Sequence, residues 1–236
     1  SLHLACQSLK GGDSDMVLVG GAKILGPSHA GYVYVDGGAL APDGHGPGDR
    51  RAVLLWCHGG GYISGDHHQD DDRLSAWVLA LDCVAVSVGY RLAPDDPYPA
   101  ALDDATAVLS WLAGGAGALA GGAGALGIDP ARVVLGGVSA GGGLAAALGL
   151  RAAPLGIAVG HQLLCCPMLD DTTSTTSSRW PAPLWHRGAN EWAWRHYLGD
   201  LAGRDVPATA APARADAATL ATSPATMLKV GTVDAL

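Results

Sequence analysis

Arg132-Val133-Val134-Leu135-Gly136-Gly137-Val138-Ser139-Ala140-Gly141-Gly142-Gly143-Leu144-Ala145-Ala146-Ala147-Leu148 is the stretch whose reading decides the fold. It opens on an apolar run of strand length, Arg132 to Gly136, and closes on small residues suited to a helix, Gly142 to Leu148. Ser139 stands between them within Gly137-Val138-Ser139-Ala140-Gly141, a G-x-S-x-G pattern. Placed between a strand and a helix, that pattern makes a sharp turn, and its glycines let a strained backbone hold a serine hydroxyl exposed. Alone it would say little, because the chain holds 35 glycines. Its setting and a second motif give it force.

The second motif is His58-Gly59-Gly60-Gly61-Tyr62, directly after the strand-like Val53-Leu54-Leu55-Trp56-Cys57. Acyl transfer to a serine passes through a tetrahedral oxyanion, which needs preorganised N–H donors. Consecutive glycines after a strand can supply them, since the chain turns tightly and no side chain blocks the approach. The residue after the nucleophile, here Ala140, normally gives a further N–H. Without chemistry, the same residues would be a glycine-rich strand-to-loop turn.

Outward from these motifs, strands and helices alternate. Tyr32 to Val35, Val53 to Cys57, Cys83 to Val88, Arg132 to Gly136, His161 to Cys165 and Ala225 to Val230 read as strands. Arg73 to Leu81, Ala100 to Leu112 and Gly142 to Leu148 read as helices. Apolar strands separated by helices imply a mainly parallel sheet covered on both faces. Ligand sites in such sheets lie at the carboxyl ends of the strands, where Ser139, Gly59 to Gly61 and Asp234 all fall.

The chain resembles the hormone-sensitive-lipase-like branch of the α/β-hydrolases, which includes arylacetamide deacetylases and many bacterial carboxylesterases. The matching residues are His58 to Tyr62, Tyr90-Arg91-Leu92-Ala93-Pro94, Tyr98 to Asp104, Ser139 to Gly142, Cys166-Pro167-Met168-Leu169-Asp170 and Val230 to Leu236. The likeness runs from about Lys23 to the last residue, with the motifs in the family's order. It departs at Val138, where the family commonly carries an acidic or hydroxyl residue. The resemblance implies a three-layer α/β-hydrolase fold, with a mostly parallel central sheet flanked by helices and lacking the C-terminal strand and helix. It implies one domain over residues 1–236, with cap-like segments at about 1–22 and 179–200. It also implies a serine carboxylesterase of short to medium acyl esters, with Ser139 as nucleophile and Asp234 as the triad acid. The oxyanion donors would be Gly60, Gly61 and Ala140, with His58 and Gly59 shaping the loop.

Triad order in these hydrolases is serine, acid, histidine, yet only Ala235 and Leu236 follow Asp234. The expectation is a chain that stops before its general base, in keeping with a first residue that is Ser rather than Met. Of the nine histidines, His58 belongs to the glycine loop, His161 to a strand start, and His186 and His196 to a Trp-rich segment. A base must reach the serine within hydrogen-bond distance, and none of these positions suggests it. Two other readings stay open: a non-catalytic small-ligand binder similar to the gibberellin receptors, which lack the triad histidine, and an inactive truncated fragment.

A length of 236 residues and a 49% hydrophobic composition suit one domain with a sizeable core. The net charge of −8 argues against nucleic acid or an anionic membrane as partner. No run reaches the roughly 18 apolar residues of a membrane span. The resemblance implies a small-molecule ester as partner. Cys6, Cys57, Cys83, Cys165 and Cys166 form an odd set without C-x-x-C spacing, so a reducing, cytoplasmic setting is expected. Asp66-His67-His68 and Asp70-Asp71-Asp72 offer metal-ligand chemistry, but acidic residues also favour helix starts. Ester hydrolysis by serine needs no metal or cofactor, and none is expected. Trp180, Trp185, Trp192, Trp194 and Tyr197 crowd one segment, as a lid over an apolar pocket or as ordinary helix packing. The near repeat Gly114 to Ala120 and Gly121 to Gly127 reads as a surface loop.

Overall fold

A computed structural model describes residues 18–25, 30–36, 50–114, 128–179 and 185–231. Among the described residues, seven strands form one sheet: β1 (Leu18–Leu25), β2 (Ala30–Asp36), β3 (Arg51–Cys57), β4 (Val84–Gly89), β5 (Ile128–Val138), β6 (His161–Cys165) and β7 (Ala225–Lys229). Their order is β1-β2-β4-β3-β5-β6-β7. β1 and β2 are antiparallel to their neighbours, whereas β4, β3, β5, β6 and β7 run parallel. Five α-helices accompany the sheet among the described residues: α1 (Asp71–Leu81), α2 (Ala100–Leu112), α3 (Ala140–Ala152), α4 (Arg187–Leu198) and the single turn α5 (Ala217–Leu220).

β3 shows why three layers result. Val53, Leu55 and Cys57 join the cluster that includes Leu102 and Leu109 of α2 and Leu144 and Leu148 of α3. Leu54 and Trp56 point the other way, to Leu74 and Val78 of α1. Because side chains alternate along a strand, an all-apolar strand needs a cover on each face. The Trp56 indole N–H donates to Asp70 at 2.8 Å, tying the second layer to the start of α1. On the other side, Arg91 grips Asp104 of α2 through Nε and Nη2 at 2.9–3.1 Å. This fixes the turn after β4, as a two-pronged charge-assisted contact does.

Several elements differ from the sequence reading at their ends. β5 starts four residues before Arg132 and α3 continues to Ala152, while Cys83 lies just before β4. Residues 18–22, expected in a cap-like segment, belong to the sheet edge as part of β1. The register between β1 and β2 slips between Val19 and Ala22. Glycines there carry no side chain to pack and mark such irregularities; this is why a strand was not apparent. Residues 1–17, Trp180, most of the Gly114 to Gly127 repeat and Asp234 lie outside the described residues.

Register places the strand ends together. Cys57 pairs with Gly137, Val138 with Cys165, and Cys165 with Lys229. The carboxyl ends of β3, β5, β6 and β7 therefore lie side by side. No described helix is long and apolar enough to cross a membrane.

Burial makes a direct expectation. Leu135 is 0% exposed in β5, whereas Leu79 on α1 is 68% exposed. Leu135→Ala should cost about 2–5 kcal/mol of stability, and Leu79→Ala less than about 0.5 kcal/mol. Urea unfolding of the two variants checks the contrast; equal losses would mean that the sheet is not packed as described.

Candidate active site

Ser139 joins β5 to α3 with φ 55° and ψ −121°. A non-glycine residue there is strained by about 1–3 kcal/mol and persists only where its surroundings hold it. They do: its N–H donates to the Cys165 carbonyl at 2.9 Å, and its carbonyl accepts from Gly143 at 3.0 Å and Met168 at 2.9 Å. The backbone is thus satisfied on both sides of the turn. The half-buried hydroxyl makes no hydrogen bond to any described residue.

The glycine loop touches this turn. A Cβ added to Gly59 would lie 3.2 Å from the Val138 carbonyl oxygen and 3.3 Å from Val138 Cγ1. One added to Gly141 would fall on the carbonyl oxygens of Cys57 and His58. Val138, the departure from the family pattern, is thus the residue against which the loop rests. Gly60 has φ +120° and Gly61 φ +63°, and Tyr62 follows at φ 64°. The Gly60 carbonyl turns inward to accept from Ile63 at 3.1 Å and Ser64 at 3.0 Å. The N–H groups of Gly60 and Gly61 find no acceptor among the described residues. They are available to a ligand.

Support comes from residues on both flanks. His58 Nδ1 donates to the Gly59 carbonyl at 2.7 Å, and its ring stacks on Tyr90 with centroids 4.2 Å apart. The Tyr90 hydroxyl donates to the His58 carbonyl at 2.7 Å. Burial pushes the His58 pKa below its ordinary 6.5, only partly opposed by the Gly59 carbonyl and by Asp66 and Asp70. The ring is neutral when it holds the loop. On the other flank, Tyr62 stacks on Tyr197 of α4 at 3.8 Å and lies 5.7 Å from Trp194. The Trp185 ring edge presses on Gly61, and its indole N–H donates to Asn190 at 3.1 Å.

The aromatic segment is therefore both helix packing and a wall of the site. Trp194 and Tyr197 are buried, while Trp192 is exposed. The roles of Tyr90, Tyr62 and the Trp185–Asn190 pair were not read from the sequence. Tyr90 could have been found only as the polar aromatic ending a buried strand. Asp234 lies outside the described residues. None of the described histidines is bonded to Ser139: His186 Nδ1 caps α4 by accepting from Ala189, and His196 Nδ1 donates to the Trp192 carbonyl. His68 pairs with Asp71 at 2.9 Å and its N–H donates to Asp66 at 2.8 Å. Asp71 and Asp72 occupy the first turn of α1. Among the described residues, no cluster of three or more His, Cys, Asp and Glu could hold a metal.

A strained serine between a parallel strand and a helix, against a triple-glycine loop, defines a class. The family profile of the alpha/beta hydrolase fold matches residues 54–236. The chain belongs to that family, in its hormone-sensitive-lipase-like esterase branch. Esterase LipI of Mycobacterium tuberculosis is 35% identical over 167 residues, which is 70% of this chain and 50% of that protein. The gibberellin receptor GID1 of Oryza sativa is 33% identical over 164 residues, 66% of this chain and 44% of that protein. Among solved structures, esterase LipW of Mycobacterium marinum superposes with a TM-score of 0.74 and 31% identity, covering 98% of this chain and 68% of its own. The chain spans about half the length of the curated relatives it matches. Residues 1–54 match a second profile, the N-terminal domain of beta-ketoacyl synthase. The two matches meet at Leu54 within β3.

Two expectations follow from this geometry. Gly141→Ala should cost about 4 kcal/mol or more, above the ordinary range of single substitutions, while Gly231→Ala, which meets open space, should be nearly neutral. Comparable urea midpoints for the two would refute the close approach. His58 supplies a pH dependence. The unfolded chain takes up its proton near 6.5 and the folded chain only at lower pH, so stability is full above 6.5 and falls as pH drops below it. His67, lowered by burial too, acts with the same sign. Melting temperatures at pH 7.5 and 5.5 should differ less for His58→Asn than for the wild type; equal differences would remove His58 as the cause.

Proposed function

We propose that this chain carries the nucleophile and oxyanion hole of a serine carboxylesterase. The observation that supports it most is the contact between the strained Ser139 turn and a glycine loop with unused N–H groups. In this reading Ser139 Oγ attacks the ester carbonyl carbon. The negative charge that develops on the carbonyl oxygen is held by the N–H groups of Gly60, Gly61 and Ala140. The C–O bond to the alcohol breaks, and water later releases the acid from the acyl-serine. His58 and Gly59 keep the loop in shape. Asp234 orients a histidine that accepts the Ser139 proton, and no histidine follows Asp234 in these 236 residues. A chain without that histidine turns over little ester. The substrates are short to medium acyl esters of apolar alcohols or phenols.

A second reading is a ligand-binding protein without catalysis. The similarity to a gibberellin receptor favours it.

Chemical rescue separates the two. Imidazole supplied in solution can stand in for such a base, since proton transfer rather than covalent attachment is what the histidine provides. p-Nitrophenyl acetate with imidazole should be hydrolysed faster by the chain than by Ser139→Ala, with acetyl found on Ser139 by mass spectrometry. The variant should fall to the rate of imidazole alone. If chain and variant act alike and a small carboxylic acid still binds saturably, the receptor-like reading replaces the esterase.

A further inference from the structure

The contact between Trp185 and Gly61 has no part in the reaction set out above. A side chain at Gly61 would meet the indole at Cη2 first, then Cζ2 at 3.1 Å and Cζ3 at 3.3 Å. The far edge of the ring therefore occupies the space that any residue but glycine would fill. That space adjoins the Gly61 N–H, one of the unused donors. The edge therefore lies close to an ester whose carbonyl oxygen is held by the Gly61 N–H.

The ring is also fixed in place. Its N–H donates to Asn190 Oδ1 at 3.1 Å. Asn190 is 5% exposed and sits in the first turn of α4, with its own N–H on the His186 carbonyl at 3.0 Å. That helix runs from Arg187 to Leu198 and carries both Asn190 and Tyr197, and Tyr197 stacks on Tyr62 next to Gly61. The same helix thus holds both the loop and the indole above it. Trp185 packs on the main core while staying partly exposed, so one part of the ring is anchored and another faces open space. An aromatic edge held by a hydrogen bond is a hard steric boundary, because it cannot rotate away without losing that bond and its packing.

We propose that Trp185 is the specificity-determining residue that limits the size of ester admitted beside the oxyanion loop, with Asn190 as its positioning residue. The ligand class rests on the esterase reading; the boundary itself rests on geometry alone.

The test is binding on a Ser139→Ala background, where hydrolysis does not interfere. Affinities for p-nitrophenyl acetate and p-nitrophenyl hexanoate are measured by calorimetry, with and without W185A. The expected result is a gain of about tenfold or more in the hexanoate-to-acetate affinity ratio, the scale on which apolar pockets sense added methylenes. N190A, which keeps the indole but frees it, should shift the ratio in the same direction by less. Should W185A fail to fold, W185F removes the outer ring edge while keeping an aromatic core contact, and should give the same direction. Unchanged ratios in folded variants overturn the proposal, whatever the hydrolysis assay shows. A shifted ratio in a chain that never acetylates Ser139 keeps the boundary and removes only the esterase reading.

Discussion

The first turn of α3 meets the carbonyl oxygens that end β3 with no room for a methyl group at Gly141. Everything at the site depends on that approach. The two strands run parallel and in register, Cys57 beside Gly137, so the helix that starts after β5 begins directly beside the chain leaving β3. The turn is made at Ser139 in a conformation that costs an L-residue energy. Hydrogen bonds to Cys165, Gly143 and Met168 hold it there. Strain in the serine and crowding at the glycine are two sides of one constraint.

The loop after β3 is fixed by a different kind of interaction. Its backbone runs through three successive positive φ angles, at Gly60, Gly61 and Tyr62, and glycine-rich chain has much conformational freedom to lose. Aromatic rings offset that loss. Tyr62 lies against Tyr197 and near Trp194, and Tyr98 meets Tyr197 edge-on at 6.0 Å. Each such pair adds about 0.5–1.5 kcal/mol beyond simple burial. Behind the loop, the His58–Tyr90 stack and two short hydrogen bonds do the same from the sheet side. A chain without phenylalanine thus uses Tyr and Trp where a rigid wall is needed.

The layered fold was legible because its evidence is local. Buried parallel strands are continuous apolar runs, and β3, β4 and β6 fall where those runs are. The serine turn and the glycine loop were legible because their backbone angles demand particular residues at particular offsets. β1 was not, since Gly20 and Gly21 interrupt any alternation at the point where its register slips. Nor could spacing reveal that Trp185 lies on Gly61 or that Tyr90 backs His58. These are contacts across 124 and 32 positions of the sequence, set by how α4 and β4 dock rather than by any repeat. The acidic run before α1 likewise looked like possible ligands. In the fold it divides its work between the Trp56 indole, Arg73 and the helix start.

Cys57 closes β3 directly beneath the glycine loop, wholly enclosed by the core, and burial raises its thiol to about 12. A sulfur so protonated and so shielded is inert towards alkylating reagents while the sheet is intact. Its capture by iodoacetamide would therefore clock the openings of the central strands, and a bound ligand that quiets the site would slow that clock.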